Sequence, residues 1–234
     1  MKIAVLSDIH SNYLALKSVL SAVSSIGVDA IIIAGDLVGY YFDPKLVLQL
    51  IRSHPKPIYI VRGNHEEMLA RACLSTEELE RITSQYGPGI EIALRQLSDS
   101  EIEWLTKLPH PLEITDFERS ILLCHGSPRA IDEYVYPDTS FEDIMMSMSQ
   151  VPDIIIMGHT HYPYINQLNG SLIVNPGSVG QPRNRQPGAH WALLDTQTLA
   201  VQAFIEPYDV SVLIESCQQH ASAFPYLQQV LSRS

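Results

Sequence analysis

With 234 residues, 46% of them hydrophobic and 18% charged, the chain can bury one sizeable core, and a single domain spanning 1–234 is expected. A formal net charge of −11 excludes a protein that coats nucleic acid, because such binding neutralises many phosphates with Lys and Arg; small phosphate esters are not excluded. No apolar run reaches the ~18 residues of a membrane span, and the start, Met1-Lys2-Ile3-Ala4-Val5-Leu6-Ser7-Asp8, reads as a buried strand and not a signal peptide.

Three cysteines, Cys73, Cys124 and Cys217, stand at unrelated spacings. An odd count of this kind fits reduced thiols in the cytoplasm, not a disulfide frame or a zinc site. Cys124, beside His125 in an apolar run, reads as a core residue and not as a nucleophile.

After the strand at Ile3–Leu6, the spacing of Leu14, Leu16, Val19, Leu20 and Val23 predicts a helix over Asn12–Ser25, stopped by Gly27. Asp29–Ala34 is a second strand, and Pro44 opens a second helix that ends before Pro55. Pro57–Val61 is a third strand. Residues 67–108 are Glu- and Leu-rich without β-branched runs, which predicts an insertion of two or three helices, one capped by Ser75 or Thr76. Packing beside the sheet is the plain role for that segment; a lid, or a surface for a second copy in a homo-oligomer, is the functional alternative. Strands return at Ser120–Cys124, Asp153–Met157, Ser171–Val174, His190–Asp195 and Leu199–Ile205, with a hairpin turn at Asn169-Gly170 and another across 196–198. A helix with Leu227, Val230 and Leu231 closes the chain. The alternation of strands and helices predicts an α/β fold.

Five of those strand-like runs stop at a potential metal ligand. Asp8 and His10 follow the first, Asp36 the second and Asn64 with His65 the third; His125, and then His159 with His161, follow two later ones. Asp, Asn and His suit first-row dications such as manganese, iron, cobalt or zinc, and the absence of thiolates disfavours a structural zinc site. Taken singly, each piece is equally a helix cap or a turn. Seven side chains, with Asp36 able to bridge, are too many for one ion and enough for two, which would clamp both oxygens of an in-line displacement at phosphorus. His65, left without a required metal role, is the candidate for binding a phosphoryl oxygen or protonating a leaving group. Arg62 is a candidate phosphate donor. The walls of a substrate pocket are expected from Asn12, from Tyr40-Tyr41-Phe42 and from the loop around Arg183. The aromatic trio is either a platform for a base or part of the core. His54, His110, His190 and His220 read as surface or satisfied core residues.

In this order, Asp8-x-His10, Gly35-Asp36, Gly63-Asn64-His65-Glu66, His125 and Gly158-His159-Thr160-His161 resemble the calcineurin-like metallophosphoesterase superfamily. The stretch Asn175 to Arg183 is similar to one in its small bacterial and archaeal phosphodiesterases. The resemblance implies a four-layer α/β/β/α sandwich of two mixed sheets flanked by helices. It implies one ion on Asp8, His10, Asp36 and His161, and a second on Asp36, Asn64, His125 and His159. Manganese is favoured, with iron, cobalt, nickel or zinc as alternatives, and His65 matches the catalytic histidine. The implied activity is hydrolysis of small phosphate esters, phosphodiesters first, by direct attack of a metal-activated hydroxide. Phosphomonoesters and dinucleoside polyphosphates are the alternative substrates. A further alternative is a non-catalytic scaffold of the kind found in the retromer, although such a scaffold can lose the histidine that this chain keeps at His65. One departure is plain: where protein phosphatases and symmetrical dinucleoside tetraphosphatases carry Asp-Arg, this chain has Gly39-Tyr40. That leaves Asp43 as the candidate to orient His65.

Overall fold

A computed structural model of the chain describes residues 1–233; Ser234, the last residue of the expected domain, lies outside them. In chain order the elements are β1 (Lys2–Leu6), α1 (Tyr13–Ile26), β2 (Ala30–Ile33), α2 (Pro44–Ser53), β3 (Ile58–Ile60), α3 (Asn64–Leu74), α4 (Thr76–Tyr86), α5 (Gly89–Gln96) and α6 (Asp99–Thr106). There follow β4 (Leu112–Ile114), β5 (Ile121–Leu123), α7 (Phe141–Met146), β6 (Ile154–Ile156), β7 (Tyr164–Leu168), β8 (Ser171–Asn175), β9 (Ala189–Asp195) and β10 (Val201–Glu206). Two helices, α8 (Val210–His220) and α9 (Tyr226–Gln229), run into a closing 3-10 turn.

The strands form two five-stranded mixed sheets, ordered β10-β9-β1-β2-β3 and β4-β5-β6-β8-β7. Each holds a parallel trio in register: Leu6 pairs with Ile33 and Ile33 with Ile60 in one, Leu123 with Ile156 and Ile156 with Val174 in the other. Matched registers bring the strand ends out at a common rim. Between the sheets lies a core of Ile3, Val5, Ile32, Ile121, Leu123, Ile154, Ile156 and Val174 with their neighbours. A second core joins the outer face of the first sheet to α1–α6, and a third joins the outer face of the second sheet to α7. Helices, sheet, sheet and helix make the four expected layers.

Local chemistry explains the element ends. Asn12 caps α1 by accepting from the Ala15 N–H, and Gly27, at φ 76°, takes the left-handed turn that closes it. Ser75, not Thr76, caps α4. The segment expected to hold two or three helices from Glu67 holds four, and the first begins at Asn64, directly after β3. Their apolar faces (Met68, Leu69, Ile82, Ile90, Ala93, Leu105) enter the same core as α1. Three elements escaped the sequence reading. β4 and α7 are only three and six residues long, too short for a period to register, and α8 sits on a mixed surface burying only Leu213 and Cys217. Among the described residues no helix is long and apolar enough to cross a membrane.

Candidate metal centre

Beyond the strand ends the backbone turns sharply. Asp8, His10, Asp36, His159 and His161 all adopt positive φ, between 50° and 64°. Such a conformation costs an L-residue roughly 1–2 kcal/mol, and Asp and His tolerate it better than most. Backbone bonds hold it in place: Asp8 N–H donates to Gly35 O (3.1 Å), His10 N–H to Asp36 O (2.9 Å), and Gly158 N–H to His125 O (2.7 Å). This is how Asp8 and His10, two residues apart, turn toward one point: the strand has ended at Leu6.

Each carboxylate divides its oxygens. Asp8 accepts the His159 N–H on Oδ2 (3.0 Å) and leaves Oδ1 without a hydrogen-bond partner. Asp36 accepts the His65 N–H on Oδ1 (2.9 Å) and turns Oδ2 toward His125 Nε2 (3.3 Å), His10 Nε2 (3.7 Å) and His65 Nε2 (3.9 Å). Three imidazoles are likewise anchored through Nδ1: His10 on Val38 O (3.2 Å), His125 on Ala34 O (2.7 Å), His161 on Gln181 O (2.5 Å). A carbonyl accepts, so each Nδ1 carries the proton, and in the neutral ring each Nε2 presents a lone pair. Those lone pairs face other acceptors. His10 Nε2 stands 3.1 Å from His161 Nε2, His161 Nε2 3.3 Å from Asp8 Oδ1, and His125 Nε2 2.9 Å from Asn64 Oδ1. His159 Nε2 is buried without a partner. Acceptors converging on acceptors repel unless a cation lies among them, so the donor set fits divalent metal.

The ligating atoms fall into groups: Asp8, His10 and His161; Asp36, His125 and His159; and His10, Asp36 and His65, each within 4.8 Å. Electrostatics put most of them in the protonation state a ligand needs. Burial raises the carboxyls of Asp8 and Asp36, but the neighbouring histidines, His161 foremost for Asp8 and His125 for Asp36, outweigh it and hold both well below the usual range. Burial pushes His10 well down and His161 down, and His65 and His159 down to about 4. At His125 burial also lowers the value, yet the Asp36 carboxylate raises it to about 10, which marks the place where Asp36 demands positive charge.

His65 is buried beside this cluster, ringed by His10 (4.7 Å between centroids), Tyr40 (4.7 Å) and Tyr86 (5.7 Å). Its Nδ1 has no hydrogen-bond partner, so Asp43, the residue before α2, does not hold it. Gly39 faces it instead, at φ 90°, and a Cβ there would overlap Nδ1. The glycine in place of an acidic residue is thus what gives the imidazole its room. Two sequence candidates have other partners. Arg62 reaches Glu67 (3.4 Å) and Thr106 O (3.5 Å), and Asn12 is used up as a cap and on Gly180 O and Tyr208 Oη. The guanidinium beside the cluster is Arg183, which donates to Tyr40 Oη (3.0 Å) and Gln181 Oε1 (3.1 Å). Tyr40, Tyr41 and Phe42 are core residues, 7%, 0% and 6% exposed. Burial raises the Cys124 thiol to about 12, leaving it inert.

Sequence reasoning gave no role to Glu66, Asn175 or Ser178. Glu66 is fully buried and accepts four backbone N–H bonds, from Asp36, Leu37, Val38 and Gly63, pinning the turn after β2 to the start of α3. Asn175 donates to Gly158 O (2.7 Å) and Ser178 to Asp8 O (2.8 Å), bracing the turns of the other ligands. Their only sequence signal was position, directly after His65 or within Asn175–Arg183.

Residues 1–199 match the calcineurin-like phosphoesterase superfamily domain. An uncharacterized protein of Methanocaldococcus jannaschii is 29% identical over 91% of this chain and 90% of its own. Phosphodiesterase YfcE of Escherichia coli is 24% identical over 87% of this chain and 92% of its own. The crystal structure of a metallophosphoesterase from Sphaerobacter thermophilus superimposes with a TM-score of 0.80 at 27% identity, covering 100% of this chain and 98% of that one.

Proposed function

Because this chain belongs to the calcineurin-like phosphoesterase superfamily, a group of metal-dependent phosphoesterases, we propose that it is a binuclear enzyme that hydrolyses small phosphate esters, phosphodiesters first, by direct attack of water at phosphorus. One observation carries the reading: carboxylate, amide and imidazole groups converge at the rim, the Nε2 atoms of His10 and His161 facing each other at 3.1 Å and Asp8 Oδ1 and His159 Nε2 buried without a hydrogen-bond partner. Asp8, His10, Asp36 and His161 would hold one ion; Asp36, Asn64, His125 and His159 would hold the other. Manganese suits this mixture of oxygen and nitrogen ligands. Bound there, the ions polarise phosphoryl oxygens and acidify water.

The chain's own groups do the rest. His65 is kept neutral by burial, and Asp36 opposite its Nε2 favours the proton on that atom. Nε2–H therefore points into the site, able to donate a hydrogen bond to a phosphoryl oxygen; the negative charge of a bound ester favours a second proton on Nδ1, and from that imidazolium the Nε2 proton can pass to the leaving oxygen and return a neutral ring. Arg183, which has no carboxylate partner among the described residues, is the positioned cation for the remaining phosphate charge. An intact His65 supports catalysis over a scaffold role. We assign the enzyme to the cytoplasm, in keeping with three free cysteines.

The test is turnover of bis(p-nitrophenyl) phosphate after chelation and reconstitution with manganese, compared with p-nitrophenyl phosphate and diadenosine tetraphosphate. Metal-dependent turnover with the highest kcat/KM on the diester is expected. No turnover of any ester with any first-row dication overturns the proposal, and preference for the monoester or the dinucleotide overturns its substrate class.

A further inference from the structure

The loop between β5 and α7 presents two tyrosines beside the metal centre. Tyr134 and Tyr136 are 53% and 39% exposed, while Val135 between them is 1% exposed and packs with Cys124, Phe141 and Met157. The two rings are nearly parallel, 11° apart, with centroids at 5.9 Å. Tyr134 lies 4.3 Å from the ring of His159, and Tyr162 meets Tyr136 edge-on at 5.7 Å.

This loop is anchored. Ser127 Oγ accepts from the N–H groups of Arg129 and Ala130 and donates to Glu133, which also pairs with Arg129. Tyr136 N–H donates to Thr139 Oγ1 (2.9 Å), and Thr139 N–H returns a bond to Tyr136 O (3.0 Å). The aromatic surface is therefore set before any ligand arrives, which lowers the ordering cost of binding. Arg183 stands at the same centre, its guanidinium 6.0 Å from the centroid of the Tyr40 ring and bonded to Tyr40 Oη.

A planar pair next to a phosphate site and a free guanidinium has a definite complement. We propose that Tyr134 and Tyr136 form a stacking subsite for a nucleobase, and that the preferred substrates are phosphodiesters carrying a nucleoside, their phosphate on the metal centre and Arg183. The proposal rests on the phosphoesterase reading and adds the class of the esterified group. An aliphatic ester leaves both rings wet. A quaternary ammonium group, which also favours tyrosine faces, is repelled by Arg183. Bases stack on aromatic side chains whatever their identity, so the subsite selects a nucleoside without selecting its base.

Calorimetric titration of the manganese-loaded protein with adenosine 5′-monophosphate, ribose 5-phosphate and phosphocholine tests this. The nucleotide should bind roughly ten-fold more tightly than ribose 5-phosphate. The Tyr134→Ala/Tyr136→Ala variant should bring the two within two-fold, while Tyr134→Phe/Tyr136→Phe, which keeps the rings and the packing, should preserve the preference. Equal binding by the wild type, a preference that survives the double alanine variant or is lost in the double phenylalanine variant, or phosphocholine binding as tightly as the nucleotide, each overturns the proposal. Failure of catalysis leaves the base preference measurable, and active enzyme without that preference sinks this inference alone.

Discussion

The two outer layers of the sandwich are unequal. The first sheet lies under α1–α6, whose side chains form the most extensive core of the molecule. The second lies under α7, six residues long, and the anchored loop before it. Yet most candidate ligands from the two sheets are buried alike: Asp8, His10 and Asp36 on one side, and His125 and His161 on the other, are all 0–2% exposed, with His159 at 6% and Asn64 half-buried. Ligand geometry therefore does not depend on the thickness of the layer above it. It depends on the strand registers, on the backbone N–H bonds accepted by Glu66, Asp8 and Asp36, and on the bond Ser178 donates to Asp8 O. Thickness governs access instead. The aromatics Tyr40, Tyr41 and Phe42 are core, clustered with Ile92 of α5 and with α8 and α9; beside the thin layer Tyr134 and Tyr136 meet solvent.

The sharpest way to break this comparison is to separate ligand from proton donor. His65→Ala should lower kcat by about 10²- to 10⁴-fold, the usual worth of a positioned proton donor, and leave metal content unchanged. His161→Ala and His159→Ala should each weaken retention of one ion more than the other. Metal analysis after gel filtration, alongside steady-state rates, reads all three; loss of metal in the His65 variant, or of none in the other two, would show the division of roles to be wrong. Next in size is the contrast between layers. Leu69→Ala, in α3 within the six-helix layer, should cost about 3–5 kcal/mol of stability, whereas Ile144→Ala in α7 should sit nearer 2 because a thin cover collapses or hydrates more readily. Urea unfolding of both variants checks it, and equal losses would contradict the contrast.

How much of this was legible follows the same line. The strands, α1, α2 and the candidate ligands at their ends were readable, because apolar runs broken by Asp, His or Asn carry a period and a stop. The four layers came with the resemblance. The packing role of 67–108 could be read, but not its fourth helix, because α3 starts inside the Gly63-Asn64-His65-Glu66 motif and its first turn looked like site and not helix. Arg62 drew attention by standing two residues before Asn64, but its ion pair with Glu67 depends on the α3 geometry. Arg183 comes from the far end of the chain and meets Tyr40 143 residues away. Tyr134 and Tyr136 lie in a loop whose order comes from the Ser127–Glu133–Arg129 network, and no periodicity announces such a loop.

The smallest effect probes the margin of the thick layer. Glu101 closes the capping box of α6 by accepting the Ser98 N–H (2.8 Å), and both its oxygens take Lys45 Nζ at 2.9 Å. The Lys45 bonds first, then those from Ser98, hold its carboxyl at about 2, below the ordinary 4.5. A depressed value in the folded state means that the contribution is fully present above the unfolded value and fades as the pH falls through 4 toward 2. The Lys45 side chain is 40% exposed, so solvent screens the pair; Glu101→Gln should cost only about 1 kcal/mol at pH 7. Because the metal centre titrates identically in wild type and variant, subtracting their stabilities isolates Glu101. That difference should shrink steadily below pH 4.5 and approach zero near pH 2, as followed by urea unfolding across the range. A difference that stays constant with pH would mean that Glu101 acts through its shape as a cap and not through its charge.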